Sequence, residues 1–206
     1  MFIKFLQSQS TLPNLLTSSR LVLSPLLAIL FLFDQEIPWA RYWALAIVVL
    51  SELTDLFDGY MARKHGQVTD FGKILDPMAD SIYRDTIFLS LAVVHQVSLF
   101  LVLPILYRDS IISTLRTVCA YKGIVLAARK SGKMKAICQA TIIIIILILR
   151  IAALHFPVID NWLYLIANSL MGLACAVTLY SAFDYLSNLI PVIMKVTEEK
   201  PLSQFD

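Results

Sequence analysis

The residues best suited to chemistry lie between Asp55 and Asp80, in the stretch DLFDGYMARKHGQVTDFGKILDPMAD. It holds five of the chain's 15 acidic residues, in a protein that is 58% hydrophobic. Asp55 and Asp58 lie three apart, and Asp76 and Asp80 four apart. At those spacings each pair projects from one face of a helix. Two such faces brought together make a cluster of four carboxylates, whose mutual repulsion is relieved only if cations sit among the oxygens. An all-oxygen donor set suits hard divalent ions, and magnesium usually completes its shell with water and substrate phosphate. Gly59, Ala62 and Gly72 stand beside the acids and are small enough to let a ligand or a second helix come close. Arg63 adds a fixed cation whose planar fork matches phosphate oxygens. The competing reading is ordinary solvated charge on a helical hairpin, but such faces mix both signs and have no need of the small residues.

The elements that must position these acids belong to a membrane protein. With 206 residues, 16% of them charged, and a mean hydropathy of +0.75, the chain is too apolar for a soluble domain and reads as an all-α integral membrane protein. Its net charge is only +2, so the distribution of charge is more informative than the total. Cys119, Cys138 and Cys175 fit no zinc or CxxC spacing and read as small buried hydrophobes. No repeat or low-complexity segment divides the chain, so residues 1–206 are expected to form a single membrane domain, with residues 1–16 as a juxtamembrane segment and 195–206 as a polar tail. No nucleic-acid partner is expected.

In chain order, Met1 to Gln9 forms a short amphipathic stretch suited to lying on the bilayer. The apolar run from Leu21 to Phe33 has neither a basic leader nor an A-x-A site, so it reads as a first spanning helix approached through Thr11 to Arg20 rather than as a signal peptide. A second helix is predicted over Trp39–Met61, with Trp39, Tyr42 and Trp43 as an interfacial belt. Lys64, His65 and Gly66 make the turn, and a third helix starts near Thr69, with Pro77 able to kink it toward the site. The uncharged stretch from Thr86 to Tyr107 is long enough for one span, but it also fits the ends of two helices meeting at His95 and Gln96. Charge placement favours the second reading. A split at His95 puts Lys4, Arg20, Arg63, Lys64, Lys73, the cluster Lys122 to Lys135, Lys195 and Lys200 on one side. Asp34, Glu36, Arg41, Arg150, His155 and Asp160 fall on the other, which is a positive-inside pattern with six spans. The remaining helices are predicted over Val97–Tyr121, Met134–Phe156 and Asn161–Leu186. The active site and both termini then face the cytoplasm across a cell inner membrane.

The acidic stretch also carries a resemblance. Asp55, Asp58, Gly59, Ala62, Arg63, Gly72, Asp76 and Asp80 stand in the pattern D-x2-D-G-x2-A-R-x8-G-x3-D-x3-D, which resembles the signature of the CDP-alcohol phosphotransferases at all eight fixed positions. The resemblance implies a dimeric enzyme of six transmembrane helices that moves a phosphatidyl group from CDP-diacylglycerol to an alcohol and releases CMP. It further implies that the four aspartates hold two Mg2+ or Mn2+ ions and that Asp80 acts as the base. Gly59, Ala62, Arg63 and Gly72 would then bind the CDP-linked lipid.

Two further segments are similar to the phosphatidylglycerophosphate synthase branch of that family. Pro13, Asn14, Thr17 and Arg20 match a P-N-x2-T-x2-R stretch that lies near the nucleotide in that branch, although polar residues and a proline are also what any helix start shows. Arg108, Asp109, Ser113, Leu115 and Arg116 match R-[ED]-x3-S-x-L-R, followed by Lys122-Gly123 and by Gly132-Lys133-Met134-Lys135. Arg108 and Arg116 are eight apart and share a helix face, inside a span where charge is costly unless it meets a partner or a wet cavity. By this likeness the acceptor is glycerol 3-phosphate, with its phosphate held by Arg108, Arg116, Lys133, Lys135 and Arg84. Asp109 stands in place of the usual Glu, and Ser81 where Lys is common, with Arg84 one turn on able to supply that cation. Inositol, inositol phosphate and serine are rival acceptors. The rival class is a cation-coupled transporter, which the sequence disfavours because its acids lie at helix ends and no span shows one at mid-depth. Helix six, with Asn168, Ser169, Gly172, Ala174, Ala176 and Ser181, is the expected place for a dimer contact.

Overall fold

The computed structural model describes the backbone of residues 12–65, 70–121 and 130–199, and the side chains of residues 17–55, 75, 77–119 and 130–189. Among the described residues the fold is six helices and no strand: α1 (Leu12–Leu32), α2 (Trp39–His65), α3 (Asp70–Val93), α4 (Leu99–Tyr121), α5 (Lys130–His155) and α6 (Pro157–Glu199). The amphipathic stretch expected at Met1–Gln9, the turn residue Gly66 and the capping Thr69 lie outside the described residues.

Local sequence explains the breaks. The split expected at His95 is present, and it is closed by a Schellman turn. The Gln96 amide donates to the Leu91 carbonyl (2.9 Å) and the His95 amide to Ala92 (3.0 Å). His95 takes the left-handed conformation (φ 55°) that glycine usually supplies there. Ser98 then opens α4, its amide held by the Asn168 side chain at 2.7 Å. Phe156 alone separates α5 from α6. Pro157 cannot continue the first helix but is preorganised for the first position of the next, and Asp160 places a negative charge in that first turn.

Several expected ends are displaced. α1 begins at Leu12, so the polar approach to the first span is already helical. α2 winds on to His65, through part of the expected turn. α5 starts at Lys130, and α6 runs from Pro157 to Glu199, through the first part of the expected tail. Pro77 lies inside an unbroken α3.

Each helix buries one stripe. On α1 it is Thr17, Arg20, Ser24, Leu27 and Phe31, and on α5 it runs from Lys135 and Gln139 through Ile142, Ile143, Ile146 and Leu147 to Arg150. α1 packs most extensively on α3 and also on α2, α5 on α6 and α2, and α4 on α6 and α3. One end of this bundle is an apolar core, joining Leu27 and Phe31 to Val48, Ile87, Phe88, Leu91, Val102, Ile146 and Met171. Toward the other end the same stripes turn polar: Arg20 and Ser24 on α1, Ser51 on α2, Arg84 on α3, Asp109 on α4, Lys135 and Gln139 on α5, and Thr178 and Ser181 on α6 are all buried. Cys119, Cys138 and Cys175 are free thiols, buried or half-buried.

The outer surface is that of a membrane protein. Val22, Trp39, Trp43, Phe100, Ile137, Val158 and Phe183 are each at least 65% exposed, far more apolar surface than water tolerates on one domain. α5 and residues 157–189 of α6 are each long and apolar enough to cross a bilayer.

At the apolar end sits a buried ion cluster. Asp34, in the turn between α1 and α2, pairs with Arg150 of α5 and lies 3.6 Å from Arg41 of α2. Arg41 also donates to the Arg150 carbonyl at 2.9 Å, and the Arg150 guanidinium lies over the Phe31 ring at 5.3 Å. Burial pushes the Asp34 carboxyl above its usual range, while Arg150 and Arg41 pull it back. Asp34, Arg41 and Arg150 were expected in outer loops. Instead they tie the first turn of the bundle to the fifth helix.

Candidate active site

The polar half of the bundle begins with Arg20. Its guanidinium reaches Asp55 on α2 at 2.5 Å and also pairs with Asp80 on α3, so one buried cation joins an acid from each half of the motif. Thr17, one turn earlier, is buried on the same stripe. The cleft around this contact is lined by Arg20, Ser51, Glu52, Asp55, Asp80, Tyr83 and Arg84, and it is packed too tightly to admit a water-sized sphere.

Asp55 and Asp80 thus converge as the spacing predicted. Asp58 lies one turn beyond Asp55 on α2, and Asp76 one turn before Asp80 on α3. The side chains of Asp58, Gly59, Ala62, Arg63, Gly72, Asp76 and Asn14 lie outside the described residues. The donor chemistry at this point is carboxylate oxygen from two helices, which fits a hard divalent cation and no soft one.

A second network adjoins the first. Arg84, one turn from Asp80, pairs with Glu52 at 3.3 Å. Asp85 faces Asp109, Lys135 and Arg84, with its Oδ1 buried and without a hydrogen-bond partner. Asp109 accepts from Lys135 with both oxygens at 2.5 Å, and from Arg108 at 2.8 Å. Arg108 also donates to Ser181 on α6 at 2.8 Å. One turn of α6 further on, the Arg116 guanidinium lies over the Tyr185 ring at 5.2 Å. Arg108 and Arg116 therefore share a face, as their spacing predicted, and that face meets α6.

Of the expected acceptor-site cations, Arg84, Arg108 and Lys135 come together, Arg116 lies farther along the same seam, and Lys133 is exposed. The expectation that the acids lie at helix ends does not hold for all of them. Asp109 is buried at the middle of α4, and Asp85 lies well inside α3. Asp109 was noted only as a motif position and Asp85 was given no role, and the neighbouring cations Arg84 and Arg108, with Lys135 of α5, offset them in space. Arg20, expected near the nucleotide by its motif position, finds two acidic partners that the motif does not name, as a buried arginine requires. Helix six is likewise less available for a dimer contact than expected. Ala174 and Ser181 are buried within the bundle, and Asn168 holds the start of α4.

Comparison with known sequences agrees with this geometry. The profile of the CDP-alcohol phosphatidyltransferase family matches residues 10–180, and the chain belongs to that family. Among curated proteins it is similar to the CDP-diacylglycerol–glycerol-3-phosphate 3-phosphatidyltransferase of Bacillus subtilis, with 31% identity over 186 residues, 85% of this chain and 93% of the relative. The protein of the same name from Shigella flexneri is 33% identical over 184 residues, 87% of this chain and 94% of the relative. That from Cereibacter sphaeroides is 35% identical over 139 residues, and the match spans 66% of this chain but only 62% of the relative.

Proposed function

We propose that this protein is a six-span inner-membrane enzyme that transfers the phosphatidyl group of CDP-diacylglycerol to glycerol 3-phosphate, giving phosphatidylglycerophosphate and CMP. The observation that carries this reading is the juxtaposition of two groups in a chain of this family: Asp80 and Asp55 line one cleft with Arg84, one turn on along α3, and the network of Asp109, Lys135 and Arg108 adjoins it.

The reaction is a displacement at phosphorus. The acceptor hydroxyl attacks the phosphorus bearing diacylglycerol, the bond to CMP breaks, and the hydroxyl proton passes to a base. We assign that role to Asp80, which lines the same cleft as Asp55 and Arg84. Bound Mg2+ or Mn2+, held by Asp55, Asp58, Asp76 and Asp80, supplies charge neutralisation for the diphosphate. Arg63, Gly59, Ala62, Gly72, Asn14 and Thr17 are assigned to the CDP-lipid by their motif positions. Arg84, Arg108 and Lys135 come together in this half of the bundle, with Arg116 farther along the same seam. Such a group of cations suits an acceptor bringing a dianion, and the names of the relatives point to the same alcohol.

Six spans are supported by length, since even the 21-residue α1 extends about 31 Å at 1.5 Å per residue, against a hydrocarbon core of about 30 Å. The basic residues gather at the polar end, which by the positive-inside rule faces the cytoplasm with both termini. A homodimer would use the exposed face of α6 carrying Ser169 and Ala176, with Gly172 beside it. The test of the function is CMP release by purified protein from CDP-diacylglycerol across glycerol 3-phosphate, inositol, inositol phosphate and serine. Glycerol 3-phosphate is expected to be the strongly preferred acceptor. A preference for any other alcohol overturns the acceptor, and no CMP with any of them overturns the reaction.

A further inference from the structure

Arg20 occupies the space between the two described carboxylates of the motif. It is only 3% exposed and contacts Asp55 and Asp80 together, across a cleft with no room for a further water-sized body. Arg20 engages Oδ1 of both carboxylates, oxygens that a divalent ion bridging the pair would also use. Dication and guanidinium also repel, so the two are alternatives there.

We propose that Arg20 is a built-in counter-ion that competes with the divalent cation for Asp55 and Asp80 and is released onto the diphosphate of the CDP-linked lipid. This rests on the metal reading above. Once displaced, a guanidinium on α1 finds a new partner in a diphosphate, to which it forks by charge-assisted hydrogen bonds. Metal and donor would then bind cooperatively, because each removes a cost that the other would otherwise meet. The acids remain neutralised throughout, by arginine before the donor arrives and by metal afterward.

The test is Mn2+ binding followed by electron paramagnetic resonance in detergent, with and without CDP-diacylglycerol, for the wild type, Arg20→Gln and Arg20→Lys. In the wild type the donor should tighten Mn2+ binding at least tenfold. In Arg20→Gln, Mn2+ alone should bind at least tenfold more tightly than in the wild type, and the tightening by donor should largely disappear. Arg20→Lys, which keeps a buried cation and so preserves the fold, should fall between the two. Wild-type Mn2+ affinity in both variants, or undiminished coupling to the donor, overturns the role of Arg20. A wild type that binds no Mn2+ with or without donor, and is unchanged by Asp58→Asn or Asp76→Asn, instead overturns the metal reading itself.

Discussion

Asp109 offers the most direct measurement of what the polar half of the bundle is worth. Its carboxylate is 3% exposed as a residue, takes two bonds from Lys135 at 2.5 Å and one from Arg108 at 2.8 Å. Asp109→Asn keeps the shape and removes the charge, leaving two buried cations with Asp85 as the remaining acid among them. Removing one partner of a buried pair costs about 3–5 kcal/mol, and the presence of two orphaned cations places this change at the upper part of that range. Lys135→Met should cost about 2 kcal/mol, because Arg108 continues to pair Asp109. If the two residues act as a unit, the double variant should be less damaged than the sum of the singles by about 2 kcal/mol. The buried thiols of Cys119 and Cys175 provide the assay, since a thiol-reactive dye reports their exposure as detergent-solubilised protein is heated. At about 2–4 °C per kcal/mol for a chain of this size, Asp109→Asn should lower Tm by about 10 °C or more. A cost below about 1 kcal/mol, or singles that add to within about 0.5 kcal/mol, would refute the reasoning.

Other expectations concern the reaction and the topology. Asp80→Asn should lower kcat by ~10²-fold or more, the usual contribution of a general base; an unchanged kcat reassigns the base. Excess chelator should abolish CMP release and Mn2+ or Mg2+ should restore it, with Asp58→Asn and Asp76→Asn equally inactive; turnover in chelator removes the metal from the scheme. A cysteine introduced at exposed position 95 should be labelled in intact cells only from outside, and one at exposed position 133 only from the cytoplasm. Labelling of both from one side contradicts the six-span arrangement.

The acidic motif and the helix count were legible because both are local. Asp55 and Asp58, or Asp76 and Asp80, are neighbours on one turn, and the break at His95 followed from the charges on either side of it. Helix ends were less legible. Hydropathy marks only the apolar part of a helix, whereas α2 and α6 go on winding through Lys64 and His65 and through Lys195 to Glu199. The pairings that build the site were not legible at all. A buried charge in an apolar helix announces that it needs a partner but does not name one. Arg20 finds Asp80 across 60 residues, and Arg108 finds Ser181 across 73. Asp109 stood in a motif, but nothing local to it names Lys135, 26 residues on, as its partner.

The ion cluster of Asp34, Arg41 and Arg150 sits at the end of the bundle away from these pairings, and it works as a clasp. The turn joining α1 to α2 is fastened there to α5, while Arg20, near the middle of α1, lies 14 residues away, or about 21 Å along the axis. α1 cannot slide along α5 without opening buried ion pairs, so the register in which Arg20 meets Asp55 and Asp80 is set in part from the far end of the bundle.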